Sequence, residues 1–147
     1  MKYLLDTNIL LRLVQLLHPH HKQAREALKT LRRQNHTFYI LLQNVSEFWN
    51  VCTRPADKNG LGFSIAKTDL HLKRFERLFT ILPDTLEVYQ NWRELVVNHS
   101  VSGIQVHDAK LAAAIDKIAP SNPAIAISRL AMAIFFQFPL ILIGFEP

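Results

Sequence analysis

Residues 1–17 read MKYLLDTNILLRLVQLL, and the junction at Asp6-Thr7-Asn8 decides the fold. The preceding KYLL is a short apolar run, suited to a buried strand. Asp, Thr and Asn favour turns and helix N-termini because their side chains bond to nearby backbone N–H groups. The ILLRLVQLL that follows has helical length. The order is therefore strand, tight turn, helix.

The same alternation continues along the chain. A second helix is expected over 20–34, where Ala24, Ala27, Leu28 and Leu31 fall at helical spacing. Phe38 to Leu42 reads as a second strand. Gln43-Asn44 can cap a third helix, VSEFWNVCTR, which stops before Pro55. Residues 55–63, PADKNGLGF, form a loop, and Ser64 caps a helix to about Phe79. Thr80 to Leu82 is a brief strand, and Asp84-Thr85 start a helix to about His99. Ser102-Gly103 break the chain, His107-Asp108 precede a helix with the sequence KLAAAI, and LILIG is a last strand. Short apolar strands alternating with helices define an α/β fold with a mainly parallel sheet. Such sheets bind ligands beyond the carboxyl ends of their strands, where Asp6 stands.

The bulk properties agree with one domain over 1–147. Apolar residues make up 49% of the 147-residue chain and charged residues 20%, a globular balance. The single Cys52 excludes an internal disulfide and sits in FWNVCTR as core filler. The opening apolar run is cut by Asp6 before a signal peptide can build. The uncharged stretch from Leu130 to Phe145 is short for a membrane helix and contains Pro139. A soluble cytoplasmic protein is expected, with no membrane partner. The formal charge is +5, from 17 Lys+Arg against 12 Asp+Glu. The bases cluster at Lys22, Arg25, Lys29, Arg32 and Arg33, and again at Lys67, Lys73, Arg74 and Arg77. They read as two solvated helix faces or as surfaces for a polyanion such as RNA.

Three carboxylates have apolar or helix-initiating neighbours: Asp6 after YLL, Glu47 in NVSEFWNV, and Asp108 at the start of HDAKLAAA. In a purely structural reading Asp6 and Asp108 are helix caps and Glu47 faces solvent. Together, all three fall near strand-to-helix junctions. Carboxylates gathered in one pocket raise each other's pKa, and a divalent cation removes that penalty. Oxygen ligands without Cys select Mg²⁺ or Mn²⁺. A water on such an ion can attack phosphorus, which points to phosphodiester hydrolysis.

LLDTNILLRL, QNVSEFWNV and VSGIQVHDAKLAAA resemble, in order and spacing, the three leading motifs of PIN domains, specifically the VapC-type toxins of bacterial toxin–antitoxin pairs. The resemblance covers residues 1 to about 115. It implies a PIN-like α/β sandwich of three layers, with a central mainly parallel sheet flanked by helices. It implies a metal-dependent ribonuclease with Asp6, Glu47 and Asp108 as catalytic ligands of Mg²⁺ or Mn²⁺. The substrate it implies is single-stranded RNA or a structured RNA such as tRNA. It further implies a homodimer inhibited by a cognate VapB-type antitoxin. Thr7 and Asn8 are assigned to orienting Asp6 or contacting phosphate, or else to stabilising the turn.

The chain departs from the family after the third motif. The family's further polar or acidic ligand, in a segment like T-x-N-x-x-D-F, has no counterpart. No Asp or Glu occurs between Asp116 and Glu146, and residues 117–137 are atypical. Asn122, in PSNPA, does not match and receives no role. Asp116 lies eight residues beyond Asp108, about 12 Å along a helix, too far to share one ion. Family-like sequence returns at QFPLILIGFEP, which suggests a local frame change in the coding DNA. The other frames across 117–137 test that idea.

The remaining polar features read as structural. His18, His20 and His21, in HPHH, form a polar start to a helix rather than a metal site. His107 belongs near a cap. Arg12 either faces the Asp6 site or packs away from it. Phe48 and Trp49 belong to the core. Two other functions compete with the nuclease: a catalytically impaired PIN domain that binds RNA or an antitoxin, and an aspartyl-phosphate phosphotransferase. The latter needs an Asp two residues after the nucleophile, where this chain has Asn8.

Overall fold

A computed structural model of the chain describes residues 2–118 and 142–145. The elements run β1 (Lys2–Leu5), α1 (Thr7–Val14), α2 (His21–Arg33), β2 (Thr37–Leu41), α3 (Leu42–Thr53), a short 3₁₀ turn (Ala56–Lys58), α4 (Ile65–Leu78), β3 (Thr80–Leu82), α5 (Leu86–Asn98), α6 (Gln105–Ile118) and β4 (Leu142–Phe145). Contacts divide the described residues into two compact units. The first holds everything through Leu82 together with β4; the second holds α5 and α6.

The first unit is built on one sheet of order β3-β2-β1-β4. β1 pairs with β2 in parallel, Tyr3 opposite Phe38, and β2 pairs with β3 in parallel, Ile40 opposite Ile81. β4 runs antiparallel on the other side of β1. This is the mixed α/β fold expected, a mainly parallel sheet flanked by helices. Because β1 and β2 are parallel, Leu5 and Leu41 end at the same edge, and the chain turns into a helix immediately after each. Asp6 and the first turn of α3 therefore share that edge by topology.

The core shows why these segments form these elements. α1 buries Ile9, Leu10, Leu11 and Val14, the i, i+1, i+2, i+5 face of a helix laid on the sheet. α3 buries Asn44, Phe48 and Cys52, spaced four residues apart. Phe48 meets Phe75 of α4 edge-on with ring centroids 5.2 Å apart, and Phe75 stacks on Phe79 at 5.6 Å. Each such side chain contributes about 1.5–3 kcal/mol through removal from water. Cys52 lies in this core, as its neighbours indicate, and burial pushes its thiol up to about 11.

Two helix starts differ from the expectation. α3 begins at Leu42, so Gln43 and Asn44 are helical residues rather than its cap. Asn44 reaches back instead, its Oδ1 accepting the Leu41 N–H at 2.8 Å. α6 begins at Gln105, so Asp108 lies inside the first turn and does not precede the helix. Ser64 and Thr85 cap α4 and α5 as expected, accepting from Lys67 N and Val88 N.

The 55–63 loop is tied to the end of α3. Leu61 N and Phe63 N donate to the carbonyls of Val51 and Cys52, and Gly62 N donates to that of Arg54. In the second unit, Trp92 Nε1 donates to the Val106 carbonyl at 2.9 Å, and Val101 and Ala109 are buried with Trp92, Val96 and Val106. Lys110 pairs with Asp84 at 3.0 Å. Among the described residues no helix is long and apolar enough to cross a membrane. Residues 119–137 of the atypical stretch, including Asn122, lie outside the described residues, as does the side chain of Asp116.

Candidate active site

Asp6 is the residue between β1 and α1. Its Oδ1 accepts the Asn8 N–H at 2.7 Å, so it does cap α1. The capping reading does not exhaust it. Burial pushes its carboxyl above its ordinary pKa of 3.8. The bonds from Asn8 and Thr7 pull the other way, and the charge of Glu47 pushes up again. A cap held only by its own helix would have no second carboxylate in its field.

Glu47 lies one turn into α3, half-buried and held at both oxygens. The Thr7 hydroxyl donates to Oε2 at 2.5 Å, and Gln43 Nε2 donates to Oε1 at 2.7 Å. Behind Thr7, Asn44 Nδ2 donates to the same hydroxyl at 3.1 Å. Thr7 and Asn44 are buried, whereas Asn8 is exposed. The turn residues thus divide: Asn8 bonds to Asp6, and Thr7 orients Glu47. Gln43 and Asn44 take part although the sequence had marked them only as capping residues. They stand four and three residues before Glu47, on one helix face, a spacing too ordinary on a helix to mark them in the sequence.

Asp6, Thr7, Asn8 and Glu47 are brought together in the first unit. Asp108 belongs to the second unit, half-buried in the first turn of α6. That helix follows α5 and a loop rather than a strand, so Asp108 does not stand at the strand-to-helix junction expected of it. Among the described residues no three His, Cys, Asp or Glu side chains gather closely enough to hold a metal ion. The Asp6–Glu47 pair nonetheless suits a hard divalent cation: both donors are carboxylate oxygens, and Asp6 carries a charge that its surroundings disfavour.

Other candidates settle into structural roles. Arg12 Nη1 donates to Gln15 Oε1 at 2.5 Å, at the far end of α1. His21 is buried with Nδ1 2.8 Å from the Arg12 carbonyl oxygen, and His18 Nδ1 accepts the His20 N–H. The histidines thus organise the start of α2. Phe48 is fully buried and Trp49 half-buried. The basic residues of α2 are exposed. On α4, Lys67 Nζ lies 3.6 Å from the centre of the Phe63 ring, and His71 stacks on the same ring. Burial lowers the His71 pKa, and Arg74 and Lys67 lower it further, so the strip already holds concentrated positive charge.

The PIN domain family matches residues 3–117, and the chain belongs to that family. PIN domains are generally nucleases and typically use divalent metal ions. No curated protein matches the chain.

Proposed function

We propose that this PIN domain is a Mg²⁺- or Mn²⁺-dependent endoribonuclease, the toxin of a type II, VapBC-like toxin–antitoxin pair acting in the cytoplasm. The observation that carries the proposal is the Asp6–Glu47 pair at the carboxyl edge of β1 and β2, with Asp6 pushed up by burial and by Glu47's charge. Asp6, Glu47 and Asp108 are assigned as the cation's ligands. Thr7 fixes Glu47, and Asn8 supports Asp6. When bound, the cation supplies an activated water for attack on phosphorus and offsets charge on the phosphate. We take residues 1–147 as one PIN domain, since the family match runs through both compact units.

The substrate assigned is RNA, single-stranded or structured such as tRNA. The exposed bases of α2 and the Lys67–His71–Arg74 strip of α4 suit its backbone. The VapC-like motifs also assign a cognate VapB-type antitoxin and a homodimer. A second reading, an impaired PIN domain that binds RNA or antitoxin without cutting, is favoured by one observation: no carboxylate occurs between Asp116 and Glu146. Incubation of purified protein with a mixed tRNA pool in Mg²⁺, Mn²⁺ or chelator separates the two. Cleavage in the metals and none in chelator, lost in Asp6→Ala, is the expected result. Binding without cleavage under every metal favours the second reading.

A further inference from the structure

Glu47 is held by a hydrogen-bond chain whose direction is fixed from the backbone outward. Asn44 Oδ1 accepts the Leu41 N–H at 2.8 Å, which settles the orientation of the amide. Its NH₂ group must then face Thr7, where Nδ2 lies 3.1 Å from Oγ1. A threonine hydroxyl has one proton. With Asn44 donating into its oxygen, that proton is free to point only at Glu47 Oε2, 2.5 Å away. Gln43 Nε2 fixes the other carboxylate oxygen at 2.7 Å. Asn44 is 1% exposed and Thr7 7%, so water does not compete for the Asn44–Leu41 and Asn44–Thr7 bonds.

We propose that Asn44 is a positioning residue for divalent-cation binding, acting through the Thr7 hydroxyl to hold the Glu47 carboxylate in one orientation. The proposal rests on the reading of Glu47 as a ligand. Groups that orient a ligand in this way change metal affinity by about 10- to 100-fold when removed. Asn44→Asp makes the sharp variant. It keeps the acceptor for Leu41 N–H but replaces the NH₂ donor with a second acceptor, which draws the Thr7 proton away from Glu47. It also adds negative charge near the site. Electrostatics alone therefore predicts tighter cation binding, and the positioning role predicts weaker.

The test is Mn²⁺ binding to the full chain by calorimetry, without RNA, with thermal melting as the check on folding. Asn44→Asp is expected to weaken Mn²⁺ binding about 10-fold or more. Thr7→Val, which adds no charge, is expected to match that loss, and Thr7→Ser, which keeps the hydroxyl, to restore wild-type affinity. Wild-type or tighter binding in Asn44→Asp, or in Thr7→Val if Asn44→Asp does not fold, overturns the proposal. Glu47→Gln separates the two levels of failure. If it weakens binding while Asn44→Asp and Thr7→Val do not, only the positioning role is lost. If it leaves binding unchanged, the ligand assignment and the proposal both fall.

Discussion

The Thr7 hydroxyl lies 2.5 Å from Glu47 Oε2, joining the first residue of α1 to the second turn of α3. These two helices begin where the neighbouring strands β1 and β2 end. One side-chain bond therefore ties together the two strand ends at which a parallel sheet places its ligands. Asp6, one residue before Thr7, sits in the field of the same Glu47. The edge thus gathers two carboxylates, and the burial of Asp6 together with the charge of Glu47 disfavours its ionised form.

That arrangement has a stability consequence. The Asp6 carboxyl titrates above its ordinary 3.8 in the folded chain. Between the unfolded and folded pKa values the folded chain holds the proton and the unfolded chain does not. Stability therefore falls as pH rises through that interval and stays lowered above it. Asp6→Asn keeps a competent cap and removes the charge. In chelator at neutral pH its Tm is expected to exceed that of the wild type, with the gap closing as the pH is brought below about 4. Melting curves of the two proteins across this range check the sign; a lower Tm for Asp6→Asn at neutral pH contradicts it.

Much of the fold was legible because β1, α1, α2, β2 and α4 each carry one dominant apolar period and a clear end signal, such as Ser64 before α4. Errors fell where one residue type serves two roles. Asn44 looks like a cap in sequence, yet it stands in the first turn of α3 and bonds backwards to Leu41 and sideways to Thr7. Asp108 looks like a helix start, but Gln105 and Val106 already belong to α6, where Val106's carbonyl also receives Trp92. At the site, Asp6 and Glu47 stood out by their apolar neighbours. Gln43 did not, because a glutamine four residues from a glutamate is ordinary on any helix.

The 55–63 loop gives a test of backbone fit. A Cβ on Gly60 would lie 1.8 Å from the Arg54 carbonyl oxygen, whereas a Cβ on Gly62 meets nothing closer than 3.8 Å. Gly62 has φ +60, so Gly62→Ala costs about 1–2 kcal/mol from the left-handed conformation. Gly60→Ala must displace backbone and is expected to cost more than Gly62→Ala, about 3 kcal/mol or above. Urea unfolding of both variants measures the difference; equal values refute it.

RNA binding should respond selectively to the basic residues of α4. Among the described residues Lys67 and Arg74 have no carboxylate partner, while Lys73 pairs with Asp69 at 2.7 Å. Lys67→Gln and Arg74→Gln are each expected to reduce the slope of log affinity against log salt by about 0.7, the value for one lost contact to single-stranded phosphate. Lys73→Gln should change it less. Filter binding of a labelled RNA over a salt series, in chelator, reads the three slopes.

Cys52 should be inert. It is fully buried, and its thiol is pushed up to about 11. A thiol reagent at pH 8 is expected to label it only after denaturation. Rapid labelling of native protein would mean that the packing of α3 against α4 is looser than described.

The central claim, that the Asp6–Glu47 pair is the seat of metal-dependent RNA cleavage, is tested most directly by single-turnover cleavage of an end-labelled RNA. Wild type and Glu47→Gln would be compared in Mg²⁺ and in chelator, with RNA affinity measured alongside. The expected result is cleavage by the wild type in Mg²⁺ alone, and background cleavage by Glu47→Gln with RNA still bound. Undiminished Mg²⁺-dependent cleavage by Glu47→Gln would contradict it.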